Sequence, residues 1–153
     1  MRQKLGFLFT ALGIVLGGAM LATSAHAQEG MKISDDAGIF KEFGEKAGLV
    51  VIMDDFMVNL LKDPRTKTSF EKSDQKRIKE QLVDQFCFIL NGPCEYKGAK
   101  MKPIHAEAGI NRENFNALVE QLQFAMDKNN VPFRAQNKLL AVLAPMHRDI
   151  ITK

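Results

Sequence analysis

Hydrophobic positions along the chain form one unbroken run and then four periodic stripes. Residues 5–22 are almost wholly apolar. Further on, Val50, Met53, Met57, Leu60 and Leu61 recur at three- and four-residue intervals, with Phe56 beside them. Ile78, Leu82, Phe86 and Ile89 or Leu90 make a second stripe, with Gln81 and Gln85 next to it. Phe115, Leu118, Leu122 and Met126 make a third, and Leu139, Leu140, Leu143, Met146 and Ile150 a fourth. Such spacing lines one face of a helix, so the fold class is all-α. Asp63-Pro64, Asn91-Gly92-Pro93 and Asn129-Asn130 end the first three helices. A shorter helix is expected after Asp35-Asp36, capped by an Asp and stopping near Gly44. Ser73 or Asp74 caps the second stripe and Asn111 the third. Pro132 opens the fourth, which Pro145 kinks or breaks. Residues 66–74 read as a connector containing Phe70.

The unbroken run is different in kind. Arg2 and Lys4 precede it and Ala25-His26-Ala27 follows it, the layout of a secretory signal peptide cleaved after Ala27. Its 18 residues are near the lower limit for spanning a bilayer. Four glycines in the run and the small-residue cleavage site favour removal over anchoring. The expectation is a signal peptide at residues 1–27, a mobile lead-in at 28–38, one domain at 39–153, and a periplasmic destination with no membrane contact after cleavage.

Composition then bounds the mature chain. Cleavage leaves 126 of the 153 residues, enough for one core. It removes two basic side chains and lowers the formal net charge from +3 to +1, which gives no argument for a nucleic acid or an anionic membrane as partner. No added apolar face marks an interface, so a monomer is expected. Cys87 and Cys94 are the two cysteines, on either side of the Asn91-Gly92-Pro93 stop. In an oxidising compartment they read as a disulfide pinning a helix end. Their spacing is neither CxxC nor a zinc pattern.

One segment concentrates the candidate chemistry. Residues 91–110, NGPCEYKGAKMKPIHAEAGI, run from a helix stop to a second glycine and hold His105. The mature chain keeps two histidines, His105 and His147, and the latter, beside Arg148 and Asp149, reads as solvated. The blocks DDFMVNLLKDPR, NGPCEYKG, MKPIHAEAGI, NFNALVEQL and VPFRAQNKLLAVLAPM resemble, in order and spacing, those of a group I truncated haemoglobin. The resemblance covers nearly the whole mature chain. It implies a shortened globin fold, two helices over two with haem between them.

By the same resemblance His105 is the proximal ligand of the haem iron, and Phe70 is the aromatic that packs flat on the haem. Met57, Ile78 and Leu82 fall at the ligand-facing distal positions, and Phe86 closes that face. Met101, Ile104, Phe115 and Leu118 line the proximal wall. Tyr96, Lys100 and Lys102 are candidates to reach the haem propionates. With no CxxCH sequence, a non-covalent haem b is expected. Two departures stand out. The family has a glycine pair where this chain has Gly44-Glu45. Many relatives carry tyrosine and glutamine at the distal positions, and here all three are apolar.

The second departure has a physical consequence. Dioxygen gains partial negative charge on a ferrous haem, and a hydrogen bond to a charged acceptor is worth about 1–3 kcal/mol. Without a donor, oxygen release is faster by roughly tenfold to a hundredfold; CO and NO carry less charge and lose less. Gln81 or Gln85 restores a donor if the helix is rotated. Met57 as a sixth, thioether ligand is a further option, against the ordinary packing use of methionine. The resulting expectation is a haem protein that reversibly binds a diatomic gas (O2, NO or CO). NO oxidation is an associated activity that needs an unidentified electron donor. The alternative is a haem-free helical module whose apolar groove takes a lipid or a partner helix.

Overall fold

The structure is a computed structural model that describes residues 32–33 and 36–153. The expected signal peptide lies outside these residues, as does part of the lead-in. Among the described residues every regular element is helical: α1 (Ile39–Glu42), α2 (Glu45–Lys62), α3 (Pro64–Phe70), α4 (Gln75–Ile89), α5 (Met101–His105), α6 (Arg112–Lys128), α7 (Phe133–Leu143) and α8 (His147–Ile150). A 3-10 turn, Ala144–Met146, joins the last two at Pro145, where proline removes a helical donor. No helix among the described residues is long and apolar enough to cross a membrane.

Helix α2 is the axis of the fold, packing against α4 on one side and against α3 and α6 on another. Leu49, Ile52, Met53, Phe56 and Leu60 from α2 join Val83, Phe86, Cys87 and Leu90 at the α4 end and Leu122, Ala125 and Met126 of α6 in one core. The chain enters α2 through Gly44 in the left-handed region, φ +73°. Gly48 follows one turn later, where a Cβ would stand 2.1 Å from the Phe43 carbonyl oxygen. The close crossing of α1 and α2 therefore rests on Gly44 and Gly48 in place of a glycine pair. Glu45 is left with φ +57°, a conformation that costs an L-residue about 1–2 kcal/mol.

Residues 66–74, expected as a connector, begin inside a helix. Asp63 both ends α2 and caps α3, accepting the Arg65 backbone N–H at 2.9 Å, with Pro64 at the first helical position. The buried Thr66 hydroxyl donates to the Leu60 carbonyl at 2.8 Å. Arg65 also pairs with Glu120 at 2.6 Å, and the Gln121 amide donates to Asp63 at 2.7 Å. These bonds clamp α3 onto α6. The Arg65 guanidinium, followed by the Arg65 backbone N–H, holds the Asp63 carboxyl at a pKa of about 2.

The far end of α4 is fixed just as closely. Asn91 takes φ +63°, its N–H donates to Phe88, and the Gly92 N–H donates to Cys87 at 2.7 Å. These paired bonds satisfy the last free carbonyls of the helix. Cys87 and Cys94 form the expected disulfide, with Cα atoms 5.7 Å apart. Gly92 sits between its sulfur and the Phe40 ring, and a Cβ there would meet both at 2.7 Å. The described part of the lead-in, read from sequence as mobile, is fastened here and beyond. Ile33 is buried, its N–H donates to Ile89 at 2.9 Å, and its carbonyl accepts from the Asn91 amide at 2.7 Å. Asp36 accepts from Arg134 and Lys138, each at 2.7 Å. It therefore faces α7 and does not cap α1, which starts only at Ile39.

Candidate functional site

His105 closes α5, a five-residue helix with no buried residue. A polar, glycine-punctuated stretch leads into it, and Gly109 at φ +63° leads out. Its ring Nδ1 lies 2.8 Å from the Met101 carbonyl oxygen, one turn back. A carbonyl only accepts, so Nδ1 carries the proton and the lone pair is on Nε2. This is the arrangement by which a backbone carbonyl orients a metal-binding imidazole and raises its basicity. Nε2 has no hydrogen-bond partner among the described residues. Nor do they include a cluster of three His, Cys, Asp or Glu side chains able to hold a metal ion by themselves. One imidazole supplies one ligand, so it suits a metal whose remaining ligands come with it, as the iron of haem does.

The other expected wall residues divide into those the fold brings together and those it separates. Met57 is 4 % exposed yet stands outside the main core cluster. Phe70 ends α3, half-buried, and packs against that cluster together with Leu82 and Leu118. Ile78 is half-buried one turn before Leu82. Phe86, expected to close the distal face, is 3 % exposed and belongs to the core. On the proximal side Met101 and Phe115 are half-buried. Ile104 lies a quarter-turn from His105 on α5 and is 54 % exposed. Lys100 and Lys102 are exposed, whereas Tyr96 is half-buried with its ring over Gly98. Burial raises the Tyr96 phenol pKa, so it stays a neutral donor.

Two features differ from the sequence reading. His147 is half-buried, not solvated. Its ring stands edge-on to Phe115 at 6.2 Å, and its Nδ1 is 2.8 Å from the Ala144 carbonyl. Through α8 it belongs to the element that packs against α5. The two glutamines of α4 also part company. Gln81 is exposed in a groove with Lys46, Asp54, Lys79 and Asp84. Gln85 is 4 % exposed, and its side-chain nitrogen has no hydrogen-bond partner. Its spacing from Leu82 and Ile78, three and seven residues, was the signal that it shares their face.

Comparison with known proteins agrees with this fold. A family model described as bacterial-like globin matches residues 38–152. The chain is 29 % identical over 119 residues to a group 1 truncated haemoglobin of Mycolicibacterium paratuberculosis, a match that spans 78 % of this chain and 88 % of that relative. It is 24 % identical over 115 residues to the group 1 truncated haemoglobin of Tetrahymena pyriformis, spanning 75 % of this chain and 95 % of the relative. The crystal structure of that ciliate protein in its Fe(III) form superposes with a TM-score of 0.70, covering 75 % of this chain and 98 % of the other.

Proposed function

This chain belongs to the bacterial-like globin family, and on that premise we propose that it is a group I truncated haemoglobin, a haem protein that reversibly binds a diatomic gas. The observation that carries the reading is the 2.8 Å bond from His105 Nδ1 to the Met101 carbonyl, which leaves Nε2 as an oriented lone pair. Haem supplies the iron at which the gas is taken up and released. His105 is the residue that holds it, Leu118 and Phe115 back the proximal side, and Phe70, Met57 and Leu82 enclose the other. The half-buried, protonated Tyr96 and the exposed Lys102 are suited to the anionic haem edge. Met57, Ile78 and Leu82 offer no donor, so those three positions by themselves give rapid oxygen release. NO oxidation belongs to the same proposal and requires a reductant from outside the chain.

Residues 1–27 as a cleaved leader and the Cys87–Cys94 disulfide together support work in an oxidising compartment, the periplasm. Mass measurement of the exported protein tests this: cleavage after Ala27 leaves 126 residues. The haem reading is tested by absorption spectra of the haem-reconstituted mature protein, ferric and ferrous, beside His105→Ala. A stoichiometric Soret band that is altered or lost in the variant, and a ferrous form that takes up and releases CO and O2, is the expected result. Absence of stoichiometric haem uptake by the wild type would overturn it.

A further inference from the structure

His105 sits on an element that cannot hold itself. Helix α5 has five residues and α8, which packs against it, has four; neither buries a residue and neither has a side-chain cap. Helices this short gain almost nothing from propagation, so the direction of the imidazole depends on what fastens the pair. One fastening is the His147 ring of α8, which meets Phe115 of α6 at 6.2 Å. The other is residues 151–153, which run from α8 back to the turn that follows His105. The Thr152 and Lys153 N–H groups both donate to the Ile110 carbonyl, at 2.8 and 3.1 Å. The Lys153 side chain lies over Gly109, where an added Cβ would stand 3.0 Å from Nζ and 3.1 Å from Cε. Gly109 has φ +63°, a region that only glycine enters freely. Ile110 is itself a fixed point. Its neighbour Asn111 exchanges bonds with Asn114, 3.0 Å from the Asn111 N–H and 2.8 Å from the Asn114 N–H. The helix so capped, α6, is seated in the core by Leu122, Ala125 and Met126.

Resting on the haem reading above, we propose that residues 151–153 are the positioning strap of the proximal ligand. Through Thr152, Lys153 and Gly109 the strap ties α8 and α5 to the start of α6, and it thereby sets the direction of His105 Nε2. The Nδ1 bond to Met101 fixes the ring only relative to α5; the strap fixes α5 relative to the core. Thr152, Lys153 and Gly109 are positioning residues, acting on iron only through His105. None of the three belongs to the core cluster, so the strap governs the iron–histidine bond without carrying the stability of the fold.

The experiment compares haem-loaded wild type with a chain lacking Thr152 and Lys153, with Thr152→Pro and with Gly109→Ala. Thr152→Pro removes one N–H, and Ile151 already has the extended backbone, φ −75° and ψ 121°, that a following proline requires. The Cys87→Ser/Cys94→Ser protein is the control for general destabilisation, since its change lies on α4 and the residues after it. In all three strap variants the Fe–His stretch of the gas-free ferrous protein should shift. Haem should pass to an acceptor apoprotein roughly tenfold faster from the deletion, the scale of one to two lost bonds, and less so from Thr152→Pro. The denaturant midpoint of the haem-free variants should stay near that of wild type. The control should show the reverse, a lower midpoint with an unchanged stretch. Unchanged stretch and haem loss in both the deletion and Thr152→Pro would overturn the proposal and leave the haem reading intact. So would a lowered midpoint with an unchanged stretch, the mark of a merely structural role. Failure of the wild type itself to take up haem would overturn both.

Discussion

The two flanks of the site are built in opposite ways. Helix α4 on the distal flank is 15 residues long, capped by Asp74, closed by left-handed Asn91 and a disulfide, and seated in the core by Val83, Phe86, Cys87 and Leu90. Helix α5 on the proximal flank has five residues, none buried and none capped by a side chain. It is held through α8 and through the chain end, where the Thr152 N–H donates to Ile110 at 2.8 Å. The distal flank is thus complete without a ligand, apart from one unpaired amide. The proximal flank has little packing of its own, and under the proposed function the haem held by His105 would complete it. A five-residue helix gains almost nothing from helix propagation, so its order comes from its partners.

The largest test of this contrast removes the proximal ligand. His105→Ala should abolish the ligated Soret spectrum while leaving the far-ultraviolet helix signal nearly unchanged, because the residue belongs to no part of the core. In the wild type, hydrogen exchange should slow markedly across α5 on haem binding and change little across α4. Equal protection of both helices without haem would break the contrast.

Opening the disulfide strikes the other flank. The Cys87→Ser/Cys94→Ser protein should lose about 2–3 kcal/mol of stability by loop-closure entropy, read as a lower denaturant midpoint, with His105 ligation retained. Next in size is Thr66→Val, which removes a buried bond to Leu60 and should cost about 1–2 kcal/mol. Because α3 ends at Phe70, the same change should also loosen the haem contact proposed for Phe70, visible as faster haem loss. Glu45→Gly should act in the reverse sense. Relief of the φ +57° strain is worth about 1 kcal/mol, checked by thermal unfolding.

The last effect is absent near neutrality. Asp63 is held at a pKa of about 2, chiefly by Arg65, and Asp36 at about 2, by Lys138 and then Arg134. Both carboxyls sit below their ordinary value of 3.8. Their stabilisation is therefore fully present above about pH 4 and lost as pH falls toward 2. Denaturant midpoints measured across that window should drop in the wild type and drop less in Asp63→Asn.

What the sequence determined is local or set by order along the chain. Four apolar stripes gave the main helices, Asn111 and Asp74 gave caps that are present, and Pro145 gave the break before α8. Cys87 and Cys94 were close enough in sequence for their pairing to be read directly. His105 was legible because its surrounding motif matched a family. Even the missed helix α3 was written in Asp63-Pro64, since a cap followed by proline starts a helix as well as ending one.

What tertiary structure decided depends on partners remote in sequence. Gln81 and Gln85 are the same residue type one turn apart, and only the packing of α4 on α2 leaves one in water and buries the other without a partner. Ile104 and Ile78 are alike in type, yet Ile104 on the short α5 is 54 % exposed and Ile78 on α4 is half-buried. His147 is half-buried because α8 packs against α5 and its ring meets Phe115. Periodicity names the face of a helix, and burial depends on what is brought against that face.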